Sequence, residues 1–128
     1  MISNETFKII ISVGEMVDKF LVNSIKINKI KDDGIEELKL NNLVIKNIIK
    51  ELTVDCEQKK LESYTESLMS VLEEQWDHLD IVLDEKCNLE ERMKNALLAQ
   101  NLNNSRVYWK NKINKLGGCQ EEIKKYGS

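Results

Sequence analysis

Acidic side chains at helical spacing are the residues of this sequence best suited to chemistry. Asp77, Asp80 and Asp84 recur at steps of three and four residues, so a helix would place them on one side. Carboxylates at such spacing bind Mg²⁺ in helical nucleotide pyrophosphohydrolases, which add a second acidic motif on another helix. This chain has no convincing second motif. A solvated acidic face is therefore the first interpretation, and a carboxylate-based, magnesium-dependent hydrolase of that type is the alternative.

Histidine and cysteine do not occur in patterns typical of metal or nucleophile sites. His78 is the single histidine, so it has no second imidazole with which to bind zinc or form a proton relay. Cys56, Cys87 and Cys119 are far apart and include no CxxC pair. This spacing favours reduced thiols that pack as small apolar side chains. We therefore predict no metal ligand, no catalytic residue and no cofactor.

Phosphate and nucleic-acid recognition have little support. Gly117 and Gly118 follow a helical segment instead of opening one, unlike the glycines of a phosphate-binding loop. The chain has two arginines, Arg92 and Arg106, whereas proteins that bind phosphates and bases favour the planar guanidinium. Trp109 lies in an apolar seam, where a tryptophan is more often core than a stacking platform. The sequence thus does not favour nucleic acid as a partner.

The composition indicates one helical domain. The chain has 128 residues, a formal net charge of −3, 41% hydrophobic residues, five glycines and no proline. So few turn-forming residues favour long helices over a β-sandwich or a loop-rich enzyme. We expect a single domain over 1–128, with an apolar lead-in at 1–11 and a short polar tail at 117–128. No secretory pattern opens the sequence and no apolar run reaches the roughly 18 residues of a membrane span, so we expect a cytoplasmic protein without membrane contact.

Four helix starts have the pattern of a capping box, in which two side chains three residues apart satisfy the first amides of a helix. An apolar periodicity of three and four residues follows each of them. The links between these segments are short, which favours antiparallel neighbours. We therefore predict an all-α fold of two antiparallel helical hairpins that form a bundle, with long third and fourth helices. The capping pairs are Ser12 with Glu15, Asp33 with Glu36, Asp55 with Gln58, and Asn88 with Glu91.

The apolar seams differ between the segments. The third seam is the longest, from Leu61 to Leu83, and would continue as a helix to about Cys87. In the fourth, an early apolar face is rotated away from a later one, which predicts a kink near Asn103 or contact with two different partners. The early face has Leu89, Met93, Ala96 and Leu97, and the later face has Leu98, Leu102, Trp109, Ile113 and Leu116. The apolar face of the second segment has Ile35, Leu38, Ile45, Ile48 and Leu52.

Charge is distributed unevenly over the third and fourth segments. Acids dominate from 73 to 91, and bases dominate from 106 onward. The hairpin of these two helices would therefore have an acidic tip and a basic base. Two solvated surfaces are the first interpretation, and ends that meet oppositely charged partners are the alternative.

Motifs near both ends of the chain carry a resemblance. The first motif is ISVGEMVDK at 11–19 followed by IK at 25–26, and the second is NNSR at 103–106 followed by Lys110 and IN at 113–114. Together they resemble a family of small, functionally uncharacterised helical proteins from bacteria and their phages. Trp76 and Asp80 resemble that family's central segment, although Leu79 and Leu83 stand where it has an acid and an arginine. The tail residues Glu122, Lys124 and Tyr126 are also similar.

The resemblance implies a bacterial or phage-infected cell as the setting. Some relatives lie among genes for surface-sugar synthesis, which implies an accessory role in a glycan pathway. The motif positions also form two polar stripes, one on the first helix and one on the fourth. We expect the stripes to face each other, or a common partner, through carboxylate pairing with Arg106; two independent solvated surfaces are the alternative. With Asp80, the candidate interaction residues are Glu15, Asp18, Lys19, Lys26, Arg106, Lys110 and Asn114.

These observations favour a non-enzymatic helical interaction or accessory module over an enzyme. Long helices with two apolar faces bury more surface when they pair with a second copy, so we expect a homo-oligomer. An unidentified protein is the other partner that this interpretation allows.

Overall fold

A computed structural model describes residues 12–30 and 33–117 of the chain. The predicted lead-in at 1–11, all of the predicted tail beyond Gly117, and Cys119 lie outside the described residues. The described residues form four helices and no strand, and none of these helices is long and apolar enough to cross a lipid bilayer. The helices are α1 (Val13–Lys29), α2 (Ile35–Leu52), α3 (Gln58–Val82) and α4 (Leu89–Leu116).

The helices pair as two antiparallel hairpins, which confirms the predicted fold. Along α3 and α4, Gln75 contacts the carbonyl oxygen of Ala99, whereas His78, further along α3, contacts Asn95, earlier in α4. α1 lies against both α3 and α4, and, of the three other described helices, α2 packs lengthwise against α1 alone. α1 is therefore the element that connects the two hairpins.

The core forms where α1 meets the α3–α4 hairpin. Its apolar residues recur every fourth position on α1 and α3, so each of these two helices contributes one stripe, and α4 contributes Ile113. Each large aliphatic side chain buried there stabilises the fold by about 1.5–3 kcal/mol. The core cluster is Val13, Val17, Leu21, Ile25, Leu68, Leu72 and Ile113.

Two of the four predicted helix caps are present. The Ser12 hydroxyl accepts a hydrogen bond from the Glu15 amide at 3.1 Å, at the start of α1. The Asn88 side-chain oxygen accepts one from the Glu91 amide at 2.8 Å, at the start of α4. Each side chain satisfies a first-turn amide that would otherwise have no partner within the helix.

The caps predicted at Asp33 and Asp55 were wrong. The N-cap residues of α2 and α3 are Gly34 and Glu57, and neither makes a side-chain capping bond. Each helix begins later than its predicted cap requires. At α3, the predicted partner Gln58 donates instead to two carbonyl oxygens of the preceding turn, so its side chain stabilises the α2–α3 link.

The longest helix is α4, with 28 residues, whereas α3 has 25. The predicted continuation of α3 to Cys87 was wrong because α3 ends at Val82. There, a side-chain oxygen of Asp84 accepts a hydrogen bond from the Lys86 amide at 2.9 Å and closes a turn. α4 is one uninterrupted helix through Asn103.

Candidate functional site

A buried ion pair joins α1 to α4. Arg106 donates from Nε and Nη2 to the two carboxylate oxygens of Asp18, and both distances are 2.7 Å. The Asp18 side chain is only 4% exposed. A planar guanidinium matches a carboxylate in this two-bond geometry, which fixes orientation as well as charge. The pair therefore sets the register between two helices that are distant in the sequence.

A second ion pair and a close backbone contact continue this connection towards the end of α4. The Lys110 ammonium lies 2.6 Å from a carboxylate oxygen of Glu15, and the rest of the Lys110 side chain is buried. The Gly14 amide donates to the side-chain oxygen of Asn114 at 2.6 Å. Asn114 is fully buried. We call the contacts of Gly14, Glu15 and Asp18 with Arg106, Lys110 and Asn114 the polar seam.

At Gly14 the backbones of α1 and α4 approach each other closely. A Cβ atom at this position would overlap the carbonyl oxygen of Lys110 and lie 2.8 Å from the side-chain oxygen of Asn114. Because a backbone carbonyl cannot rotate away as a side chain can, only glycine fits here without a shift of the helices.

The polar seam extends to α3 through Gln75. Its side-chain amide donates to the Ala99 carbonyl at 3.0 Å and to the Asn103 side chain at 2.6 Å. Its oxygen accepts a bond from Arg106 Nη1 at 3.5 Å. Gln75 was missed from the sequence, although a signal exists, since it is a polar residue within the apolar seam of α3 between Leu72 and Leu79.

The structure brings five of the eight candidate interaction residues together in the polar seam: Glu15, Asp18, Arg106, Lys110 and Asn114. The expected pairing of an α1 carboxylate with Arg106 is present and is made by Asp18, but Asp18 and Lys19, which were expected on one stripe, point in different directions. Successive residues of a helix are rotated by about 100°, so Asp18 points towards α4, whereas Lys19 is exposed.

The other three candidates lie outside the polar seam. Lys19 and Lys26 line a shallow depression beside it, with Val22 of α1. Asp80 is exposed on α3, where it lies 3.8 Å from the Lys29 ammonium near the end of α1. Asp80, which belongs to the middle of the chain, therefore lies apart from the motif residues near the two ends of the chain.

The acidic helix side does not assemble a metal-binding group. Among residues 12–30 and 33–117, no three His, Cys, Asp or Glu side chains are placed to hold one metal ion. Asp84 contacts the turn after α3, and Nδ1 of His78 lies 2.7 Å from the Asn95 side-chain oxygen. The described residues thus provide no ligand set for the alternative magnesium-dependent hydrolase.

Both described cysteines are free thiols. Cys56 donates to the Leu116 carbonyl at 3.3 Å. Cys87 lies in the α3–α4 turn, with its sulfur 3.7 Å from a carboxylate oxygen of Asp84. Partial burial raises the pKa of the Cys87 thiol, and the negative charges of Asp84 and Glu91 raise it further. Such a thiol is a weak nucleophile at neutral pH.

The aromatic residues near the basic end of α4 are partly built into the core. Trp109 packs against the core cluster, and its ring centroid lies 5.9 Å from that of Tyr64. Tyr108 is more exposed and contacts Trp109 edge to face, with the Lys112 ammonium 5.4 Å from the Tyr108 ring centroid. Two of the basic residues, Arg106 and Lys110, are engaged in the polar seam.

α2 exposes an apolar side that no described part of the chain covers. Its residues recur at every fourth position, so they form one line along the helix, and their exposed fractions lie between 38% and 65%. The prediction that Ile48 and Leu52 belong to the packed face was wrong, because α1 covers the side that contains Asn42 and Ile45 instead. We call this line the α2 stripe: Leu40, Val44, Ile48 and Leu52.

A second exposed apolar surface lies at the tip of the α3–α4 hairpin. The early apolar face of α4 is on the outside of the bundle, and so is Leu98 of the later face, whereas Trp109 and Ile113 of the later face pack into or against the core. The apolar residues of α4 are therefore exposed to solvent near its start and packed into the core near its end. With one leucine of α3 and the leucine that directly follows α3, the exposed residues form the tip patch, and their exposed fractions lie between 41% and 75%: Leu79, Leu83, Leu89, Met93 and Leu97.

Comparisons of this chain with protein-family models, with curated proteins and with solved structures found no match. The family resemblance of the 11–26 and 103–114 motifs stays a prediction.

Proposed function

We propose that this chain is a non-enzymatic helical interaction module that associates with a second copy through the α2 stripe. The observation that carries this proposal is an unusual second apolar side on α2. A surface helix that covers only one neighbour normally has polar residues on its far side. Among the described helices, α2 packs against α1 alone, yet its far side presents four large aliphatic residues in one line.

The energetics favour association over exposure. Removing a leucine or isoleucine side chain from water is worth about 1.5–3 kcal/mol when burial is complete. Four such residues in one line form a contiguous patch, and contiguous apolar patches typically mark interaction sites. Scattered single residues would carry no such implication.

The polar seam supports this proposal by giving α2 a fixed platform. The two-bond pair of Asp18 with Arg106 and the contact of Gly14 with Asn114 hold α1 on α4. α2 packs on α1, so the orientation of the α2 stripe depends on these contacts. Asp18 has the most buried carboxylate among the candidate residues, and both of its oxygens accept hydrogen bonds from Arg106. In this proposal Asp18 therefore holds α1 against α4.

The test is a comparison of oligomeric state by sedimentation velocity across a concentration series. The double variant Val44→Glu/Ile48→Glu places two charges in the α2 stripe and should weaken self-association at least about ten-fold. Val54→Glu is the matched control, since Val54 is 72% exposed in the turn after α2 and lies outside the stripe. The control should associate like the wild-type chain.

Circular dichroism should show nearly unchanged helix content for both variants, because all the substituted positions are exposed. A wild-type chain that stays monomeric up to millimolar concentration would contradict the proposal. Equal weakening by the stripe variant and the Val54 control would contradict the assignment to the α2 stripe.

A further inference from the structure

We propose that a pocket between α1, α2 and α3 binds the aliphatic chain of a small carboxylate, and that Lys46 and Lys50 at its edge hold the negative charge. The pocket lies on the side of α2 roughly opposite to the α2 stripe, because Lys46 is rotated by about 200° from Val44 around the helix. The site is therefore separate from the proposed self-association surface.

The pocket is a gap in the packing of the bundle. α1 packs against both α2 and α3, but these two described helices do not pack against each other. The gap between them has Val17 and Phe20 of α1, Ile49 of α2 and Leu61 of α3 in its lining. All four side chains are apolar and belong to the core or pack against it. The interior of the pocket therefore suits hydrocarbon.

Two threonines and a glutamine add little free hydrogen-bonding capacity to the lining. The Thr53 hydroxyl donates to the Ile49 carbonyl at 2.7 Å. The Thr65 hydroxyl donates to the Leu61 carbonyl at 2.7 Å. The side-chain amide of Gln58 donates to two carbonyl oxygens of the turn between α2 and α3. Because these donors are already used, a polar group placed deep in the pocket would lose its hydrogen bonds to water without replacement.

Lys46 and Lys50 give the edge of the pocket a positive charge. They are four positions apart on α2, so they lie on the same side of the helix, and both are exposed. Neither makes an ion pair with any residue of 12–30 or 33–117, and no described acidic residue lines the pocket. Like charges at this spacing repel each other, so an anion between the two ammonium groups would be attracted by both and would relieve their repulsion.

The size of the pocket limits the length of the chain that it takes. Its volume is about 220 Å³, whereas a protein cavity of about 150 Å³ binds benzene, with its six carbons. An aliphatic chain of roughly eight carbons therefore fits. Pockets for drug-sized ligands are larger, at roughly 300–1,000 Å³. We therefore assign the pocket to a free, unbranched carboxylate of this length, for which octanoate is the probe.

Titration of the isotope-labelled chain with octanoate, followed by amide chemical shifts in NMR, tests the assignment. Octanoate, used below the concentration at which it forms micelles, should bind one-to-one with a dissociation constant of roughly 1 mM or tighter. The shifts should centre on Thr53, Leu61 and Thr65. Hexanoate should bind about ten-fold more weakly than octanoate, because each buried methylene contributes roughly a three- to four-fold factor. Octylammonium should bind at least about ten-fold more weakly than octanoate, because the lysines repel it.

Two variants separate the charge from the apolar interior. Lys46→Gln/Lys50→Gln should weaken octanoate binding at least about five-fold and leave the binding of uncharged octanol unchanged. Its matched control is Lys19→Gln/Lys26→Gln, since those lysines of α1 line the depression beside the polar seam instead. Thr65→Phe fills the pocket and should weaken both ligands at least about ten-fold. Circular dichroism checks that all three variants remain helical.

Absence of saturable shifts at octanoate concentrations up to about 10 mM would overturn this inference. Equal binding of octanoate and octylammonium would overturn it too, because the pocket would then not select an anion. Equal weakening by the two double lysine variants would show that the charge acts without a site. The proposed self-association is measured separately by sedimentation and would stand after any of these results.

Discussion

Both oxygens of the Asp18 carboxylate accept hydrogen bonds from the Arg106 guanidinium, across 88 positions of sequence. The carboxylate is almost fully buried, whereas the guanidinium is partly exposed. Removing one partner of such a pair leaves a buried charge without compensation, which costs more than the intact pair contributes. The pair therefore acts mainly as a specific lock on the position of α1 against α4.

Arg106→Glu should destabilise the chain strongly. It places two carboxylates together in the polar seam, and we expect a loss of about 3–5 kcal/mol in the free energy of unfolding. Lys59→Glu and Lys60→Glu are matched charge reversals at exposed positions, where a change within about 0.5 kcal/mol is typical. Urea unfolding followed by circular dichroism measures all three. Similar losses at the three positions would contradict the structural role of Arg106.

A double-mutant cycle separates pairing from simple packing. Asp18→Asn and Arg106→Gln should each destabilise the chain, and the double variant should lose less than the sum of the two, with a coupling of about 1–3 kcal/mol. The reason is that the second substitution removes the charge that the first left unpaired. Strictly additive losses in the same urea experiment would show that the two side chains do not depend on each other.

Gly14→Ala should lower the melting temperature much more than Gly117→Ala, the same substitution at another glycine. The added Cβ would overlap the Lys110 carbonyl oxygen, so α1 and α4 must separate, at a cost of about 1–3 kcal/mol or more. At Gly117, a Cβ would lie 3.2 Å from a methyl group of Val13, and a side chain can adjust. Thermal unfolding of Gly14→Ala and Gly117→Ala gives the comparison, and equal melting temperatures would contradict the close backbone approach.

The helices of this fold could be predicted from the sequence because apolar periodicity and caps are local signals. Two of the predicted caps are absent because another local arrangement forms in each place. Gln58 donates to the preceding turn instead of joining a capping box, and Gly34 is the N-cap residue of α2. The seam stripe on α4 was also visible, since Arg106, Lys110 and Asn114 recur every four residues.

The pairing of an α1 carboxylate with Arg106 was expected from the motif positions, but the choice of Asp18 over Glu15 and the burial of Asp18 could not be predicted. Rules of helix amphipathicity assign an isolated charged residue to the solvent side, and only the position of Arg106 in the folded chain reverses this assignment. The sequence of α2 likewise shows apolar residues on two sides but not which side α1 covers. Exposure of the tip patch depends on where α1 ends relative to α3, which is a property of the packing.

Asn42→Ala should weaken the packing of α2 against α1 more than the neighbouring substitution Asn41→Ala does. The buried Asn42 side chain donates to the Phe20 carbonyl at 3.2 Å and to the Ser24 hydroxyl at 3.2 Å, and it accepts from Asn23 at 3.3 Å. Losing these bonds leaves buried groups without partners, with an expected cost of about 1–3 kcal/mol. Asn41→Ala is the control at an exposed position, where the change should be small.

Hydrogen exchange gives the local measurement for this pair of variants. Amides of α2 should exchange faster in Asn42→Ala than in Asn41→Ala, whereas amides of α3 should change little, because α1 is the one described helix against which α2 packs lengthwise. Equal acceleration throughout all four helices would show that α2 unfolds only together with the rest of the chain.

Cys87 should react slowly with iodoacetamide at neutral pH, and removal of one nearby charge should accelerate it. The raised pKa of Cys87, caused by partial burial and by Asp84 and Glu91, leaves less thiolate at any given pH. Asp84→Asn removes the charge but keeps the side-chain oxygen that accepts the Lys86 amide. The rate–pH profile should therefore move to lower pH, and the rate at pH 8 should rise roughly two- to five-fold. Peptide mass spectrometry resolves Cys87 from the other thiols, and Glu85→Gln is the control; an equal effect of both substitutions would contradict a specific influence of Asp84.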